Sequence, residues 1–206
     1  MNEAIVLQSP PAAASLFLLF HGVGSTPQDL APLGARLAQE SPDAAVVSIA
    51  APDRSDLGAG LQWFSVLGVT EENRPQRVAA TLPRFLAKVQ HWQQHTGVAA
   101  SATTLIGFSQ GAILSLAAAH ANQPPAARVV SLSGRYPELP QQAPTGVTVH
   151  FIHGDADPVI PVAHAHNAAR ALDALRARVT LDVVPRLGHG IDAAATDLLL
   201  QRLRAP

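Results

Sequence analysis

The run Ser15–Phe20 (Ser-Leu-Phe-Leu-Leu-Phe) constrains the fold more than any other stretch of this chain. It is continuously apolar instead of alternating, the mark of a strand buried on both faces. Such a strand needs a sheet with helices on either side, and the rest of the chain supplies both. Further strands are expected at Ala4–Leu7 (an edge), Ala44–Ala50, Thr103–Phe108, Arg128–Leu132, Val147–Ile152 and Val179–Val184. Helical segments lie between them: Pro27–Glu40, with Leu30, Leu33 and Leu37 at helical spacing, then Arg74–Thr96, Gln110–Asn122, Val162–Arg178 and Asp192–Leu203. Pro83 is expected to interrupt or kink the second of these, and Gly97 to stop it. Leu57–Asn73 shows little periodicity and reads as a loop, as does the proline-rich Pro137–Pro144. Strands alternating with helices give an α/β protein with a mostly parallel central sheet and helices on both faces.

Composition narrows the field of functions. The chain has 206 residues, enough for one domain with a full core. No internal repeat or linker divides it, so a single domain over 1–206 is expected. Hydrophobic residues make up 48% and charged residues 14%, which excludes a disordered chain. The net charge of −1 and scattered basic residues argue against a nucleic-acid partner. Cysteine is absent, which removes disulfides, thiolate catalysis and Cys-type metal sites and fits a cytoplasmic protein. Pro11–Phe20 has the length of a signal-peptide core. No Lys or Arg precedes it, however, Glu3 stands where positive charge belongs, and the run stops at His21-Gly22. It is too short to span a bilayer and reads as a linker plus a buried strand. Oligomeric state, monomer or homodimer, has no signature in the sequence.

Gly107-Phe108-Ser109-Gln110-Gly111 matches G-x-S-x-G, a turn that presents a nucleophilic serine between strand and helix. Glycines flank the serine because side chains there would clash as the turn tightens. The helix behind it favours developing negative charge. A serine hydroxyl needs a base, and the base needs an orienting acid; in proteins with such an elbow the order is Ser, Asp or Glu, then His. Among the histidines after Ser109, His120 leaves on the elbow helix, His150 is inside a strand, and His164 and His166 are in a helix. His189, in the turn Leu187-Gly188-His189-Gly190 between the last strand and last helix, is the candidate base. The acid must follow a strand and precede it. Asp155 and Asp157 compete in His153-Gly154-Asp155-Ala156-Asp157-Pro158; Pro158 fixes the direction of Asp157, and the other aspartate is expected to cap the loop. Asp182, within a strand, and Asp192, at a helix N-cap, are weaker candidates. His21-Gly22-Val23-Gly24 follows the buried strand and is suited to supply an oxyanion-hole amide. The proposed donors are the backbone N–H groups of Val23 and Gln110. His21 itself reads as a structural hydrogen-bonder.

With these pieces assembled, the chain resembles the phospholipase/carboxylesterase family of α/β-hydrolases, the relatives of the acyl-protein thioesterases. The likeness spans nearly the whole chain. It rests on Leu19-Phe20-His21-Gly22-Val23-Gly24, Trp63-Phe64, Gly107-Phe108-Ser109-Gln110-Gly111-Ala112, the stretch His153 to Pro161, and His189. It implies an α/β-hydrolase fold with little or no lid, a serine esterase or thioesterase activity, and no cofactor or metal. It also implies that the acid is the second aspartate of Asp-x-Asp, Asp157. Trp63-Phe64-Ser65-Val66 and Asn73-Arg74 look like a bacterial esterase branch; the wider family often has Asp where Ser65 stands. Trp63, Phe64, Val66, Leu67 and Val159 are the candidate substrate contacts.

Two other readings compete. A hydrolase-fold protein that binds without turnover would usually lack a triad member, and all three are present. A metal-dependent hydrolase would draw on His150, His153, Asp155, Asp157, His164 and His166, but helix positions i and i+2 do not face each other, and there is no H-E-x-x-H.

Overall fold

A run that is apolar throughout must be sandwiched, and in the computed structural model Ser15–Phe20 lies near the centre of a seven-stranded sheet. The structure describes residues 4–204; Glu3 lies outside them. In chain order the elements are β1 (Ala4–Gln8), β2 (Ser15–Phe20), α1 (Ala31–Glu40), β3 (Ala44–Ile49), β4 (Asp53–Arg54), β5 (Leu61–Gln62) and α2 (Arg74–Thr96). There follow β6 (Thr103–Phe108), α3 (Gln110–Ala118), β7 (Arg128–Leu132), β8 (Thr148–Gly154), α4 (Ala163–Ala174), β9 (Arg178–Val184) and α5 (Ala193–Arg204). The sheet order is β1-β3-β2-β6-β7-β8-β9; β1 runs antiparallel at the edge and every other pair is parallel.

Alternate side chains of β2 feed two separate cores. Leu16, Leu18 and Phe20 join Phe85 and Val89 of α2, Leu114 of α3 and Leu172 of α4 on one face. Phe17 and Leu19 join Leu33 and Leu37 of α1 and Leu199 of α5 on the other. The continuous apolar pattern is therefore the sum of two alternating ones, each with its own helical cover.

Several sequence expectations shift. The segment Leu57–Asn73 is not wholly irregular: β5 pairs antiparallel with β4 through Asp53–Gln62 and Arg54–Leu61. Pro83 does not interrupt α2, which runs unbroken for 23 residues. Val78, Thr81, Phe85 and Val89 bury one face of that helix, and this burial offsets the hydrogen bond proline removes, a loss of about 3 kcal/mol. Two helices are shorter than expected: the one after the elbow ends at Ala118 rather than Asn122, and α4 ends at Ala174 rather than Arg178, which begins β9. No helix among the described residues is long and apolar enough to cross a membrane.

Parallel strands bring their carboxyl ends to one edge of the sheet, where ligands of open α/β sheets bind. The segments that follow β2, β6, β8 and β9 all emerge there. They carry, respectively, His21–Gly24, Ser109, Asp157 and His189.

Candidate active site

The elbow is tight in the physical sense. Ser109 has φ 52° and ψ −114°, a left-handed conformation that costs a non-glycine residue about 1–3 kcal/mol. The surrounding chain fixes it there: its N–H donates to the carbonyl of Leu132 at 3.0 Å. A Cβ at Gly107 would lie 2.4 Å from the Ala112 nitrogen, and one at Gly111 would lie 2.1 Å from the Phe20 oxygen. Both glycines are thus demanded by close backbone approach.

The three candidate triad residues, 32 and 80 positions apart from His189, come together. The Ser109 hydroxyl donates to His189 Nε2 at 2.9 Å, and His189 Nδ1 donates to Asp157 Oδ2 at 2.8 Å. Asp157 is buried, and its other oxygen, Oδ1, accepts the N–H groups of Val159 at 2.8 Å and Ile160 at 2.9 Å. Burial pushes this carboxyl up, but the hydrogen bonds from His189, Ile160 and Val159 outweigh it and hold the group below the usual carboxylate range. Asp155 points elsewhere: Oδ1 accepts the Arg186 N–H at 2.5 Å and ties the loop after β8 to the one after β9. Of the weaker candidates, Asp182 pairs with Arg202 and Asp192 accepts the Ala195 N–H at the start of α5.

The loop after β2 lies against the elbow. A Cβ on Gly22 would be 3.1 Å from the Ser109 Cβ. None of the hydrogen bonds among the described residues uses the N–H of Val23 or of Gln110, the two amides considered as oxyanion donors. His21 is fully buried and is committed to the backbone: Nδ1 donates to Gly22 O at 2.8 Å and Nε2 accepts the Ala51 N–H at 3.0 Å.

Beside Ser109 opens a cavity of about 190 Å³. Among the candidate substrate contacts, Phe64, Val66 and Val159 line it. Trp63 does not. Its indole is buried in the core against Phe20 and Phe85, with ring centroids at 5.6 and 5.4 Å, and Nε1–H donates to the carbonyl of His21. The reason is size: an indole beneath the loop after β2 fills the space between sheet and α2, so it supports the site from below. Leu67 is also outside the cavity lining and is 62% exposed. Ser65 turns its hydroxyl to Asp56 Oδ2 at 2.6 Å, and the same oxygen accepts the Val66 N–H, so a distant aspartate pins this loop.

The rest of the site carries no sequence assignment as a substrate contact, and His164 is weighed there only as a base and as a metal ligand. Val69, Ile113 and Ile160 complete the apolar wall, and Arg74, Arg135 and His164 add polar groups to it. Of these only Arg74 and Ile160 fell within a quoted motif. His153, also within one, is buried beneath the candidate acid: Nε2 donates to Ile160 O at 2.7 Å and lies 3.2 Å from Asp157 Oδ2. The Gln110 side chain is a further brace. Oε1 accepts the Trp63 N–H at 2.8 Å, and Nε2 donates to Phe64 O at 2.7 Å.

Comparison with known proteins bears on this arrangement. The family model described as phospholipase/carboxylesterase matches residues 1–204. Esterase YpfH of Escherichia coli (strain K12) is 48% identical over 204 residues, 98% of this chain and 88% of YpfH. The crystal structure of esterase PE8 superposes with a TM-score of 0.88 at 28% identity, covering 98% of this chain and 97% of PE8. The carboxylesterase of Bacillus cereus shares the fold, with a TM-score of 0.80 at 19% identity over 97% of this chain and 92% of its own.

Proposed function

The chain belongs to the phospholipase/carboxylesterase family and is a serine esterase, and from that premise we propose that Ser109, His189 and Asp157 hydrolyse short carboxylic esters through an acyl-enzyme. The observation that carries this reading is the pair of hydrogen bonds on one imidazole, Nε2 with Ser109 Oγ and Nδ1 with Asp157 Oδ2.

The chemistry follows from those bonds. Ser109 Oγ attacks the ester carbonyl carbon as its proton passes to His189 Nε2. Asp157, ionised and held by two backbone amides, keeps Nδ1 protonated and stabilises the imidazolium. The carbonyl oxygen gains negative charge and takes hydrogen bonds from the N–H groups of Val23 and Gln110. The tetrahedral species collapses, the C–O bond to the alcohol breaks, and His189 returns the proton to the departing oxygen. Water then repeats the sequence on the acyl-Ser109 ester and releases the acid. A thioester follows the same path with a thiol leaving group.

No step draws on a cofactor or metal. The substrate is a small molecule, and the cavity beside Ser109 is smaller than the roughly 300–1,000 Å³ of sites for drug-sized ligands, which supports short substrates. The cysteine-free sequence supports a cytoplasmic setting.

The test is a panel of p-nitrophenyl esters and acyl thioesters assayed on wild type and Ser109→Ala. The expected result is wild-type turnover of short esters and a fall of on the order of 10⁴–10⁶-fold in kcat for the variant. Equal activity of the two proteins would overturn the reading.

A further inference from the structure

Apart from Ser109 and the bracing Gln110, the wall of the cavity beside Ser109 is apolar except at three side chains: Arg74, Arg135 and His164. None takes part in the chemistry above. Arg74 opens α2, Arg135 follows β7, and His164 lies on α4, so three separate elements converge. Both arginine side chains are largely buried, at 14% and 13% exposed. A cation withdrawn from water beside an apolar cavity is costly unless an anion compensates it.

Here the anion is Glu71. Its Oε1 accepts from Arg74 Nη1 at 2.6 Å and from Arg135 Nη1 at 3.0 Å, and its Oε2 accepts from Arg135 Nη2 at 2.5 Å. The Arg135 contact is the two-pronged fork with which guanidinium grips a carboxylate. Arg135 first, and Arg74 next, hold the Glu71 carboxyl down to about 2. Yet the glutamate side chain is 67% exposed while the arginines are not. The cations therefore belong to the cavity wall, and the carboxylate reaches them from solvent. Two guanidiniums face one carboxylate, which leaves one positive charge, and the amino end of α2 adds its positive dipole end. His164 brings no charge: burial, then the neighbouring Arg135, lowers its pKa, and its Nε2 accepts from Arg135 Nη1 at 3.3 Å. Glu138 borders the adjoining cleft and forms no ion pair with Arg135 among the described residues.

A binding wall that is apolar, short and capped by a carboxylate-gripping pair matches a molecule of the same pattern. The geometry points to a short ester that carries a free carboxylate as the preferred substrate, with Arg74 and Arg135 receiving that carboxylate in exchange for Glu71. The inference rests on the esterase reading and names its substrate class. The exchange conserves charge pairing: Glu71 moves into water, where an exposed carboxylate is well solvated, and the substrate carboxylate takes its place. The substrate's intervening methylenes lie against Val66, Val69 and Ile113.

The experiment compares matched pairs in which a carboxylate is replaced by an isopropyl group of the same shape. With the carboxylate on the acyl side the pair is p-nitrophenyl hemiglutarate and p-nitrophenyl 5-methylhexanoate. With it on the alcohol side the pair is 4-acetoxybutyrate and 4-methylpentyl acetate. The readout is the ratio of kcat/KM, charged over neutral, within each pair. In wild type the ratio is expected to exceed about tenfold for one pair, and that pair identifies the side that carries the charge. It should fall to one or below in Arg135→Met and in Arg74→Met. Glu71→Gln, at an exposed position that tolerates change, should raise it several-fold by weakening the resident competitor. Ratios at or below one for both pairs in wild type, with neutral esters still hydrolysed in a Ser109-dependent manner, overturn this inference and leave the esterase reading standing. So does a ratio that none of the three substitutions moves. Failure to hydrolyse any member of either pair would instead strike the esterase reading itself.

Discussion

The side-chain amide of Gln110 is bonded to the main chain of Trp63 across 47 residues of sequence, and its second hydrogen bond takes up the carbonyl of Phe64. One residue therefore joins the elbow helix to the segment that floors the cavity. Both bonds are buried, so removing them strands a donor and an acceptor away from water, at about 1–3 kcal/mol each. Gln110→Leu, which keeps the volume, is expected to destabilise the fold by about 2–4 kcal/mol and lower Tm by roughly 5–15 °C in a chain of this size. Thermal unfolding followed by circular dichroism checks this; a Tm within a degree or two of wild type would contradict it.

Asp155 and Asp157 separate cleanly by what they touch. Asp157→Asn disturbs the proton arrangement on His189 and is expected to cost on the order of 10⁴ in kcat. Asp155→Asn keeps an oxygen for the Arg186 N–H and should cost less than about tenfold. Steady-state kinetics on the two folded variants decides between them, and a larger loss for Asp155→Asn would reverse the assignment.

His150 sets part of the acid limit of stability. Burial first, then the nearby Arg128 and Arg202, lowers its pKa to about 4 from an unfolded value of 6.5. A histidine whose pKa is depressed in the folded state is neutral there while the unfolded chain takes up a proton. Its contribution is therefore complete above pH 6.5 and is lost as pH falls toward 4, up to about 3 kcal/mol in all. Urea unfolding at pH 7 and pH 4.5 should show a drop in wild type that His150→Leu reduces by about 2 kcal/mol. An identical drop in both proteins would remove His150 from the account.

The small cavity beside Ser109 predicts a limit on acyl length. Across unbranched p-nitrophenyl esters, kcat/KM is expected to be higher for butyrate than for laurate, and Ile113→Phe should shift the optimum to shorter chains still. Rising efficiency through to laurate would show that the chain leaves the cavity and binds elsewhere.

Legibility in the sequence followed the range of the interactions. Ser109, Asp157 and His189 each sit in a short local pattern at the end of a strand, and parallel strands bring such ends together without further instruction. The two faces of β2 were legible for the same reason. Trp63 escapes a local reading because its place is set by Phe20 and Phe85, which only tertiary packing brings near it. Arg135 was silent: it lies in no motif, and its partner Glu71 is 64 residues away on a loop without periodicity. At Pro83 the buried face of α2 overrides the local rule that proline interrupts a helix.

Labelling of Ser109 tests the central claim most directly. A fluorophosphonate should modify the wild-type protein at a single site, and peptide mass mapping should locate the adduct on Ser109. Ser109→Ala should take up no label while remaining folded, and His189→Ala should be labelled far more slowly because nothing removes the serine proton. Adduct formation and ester hydrolysis at the wild-type rate in Ser109→Ala would contradict the account.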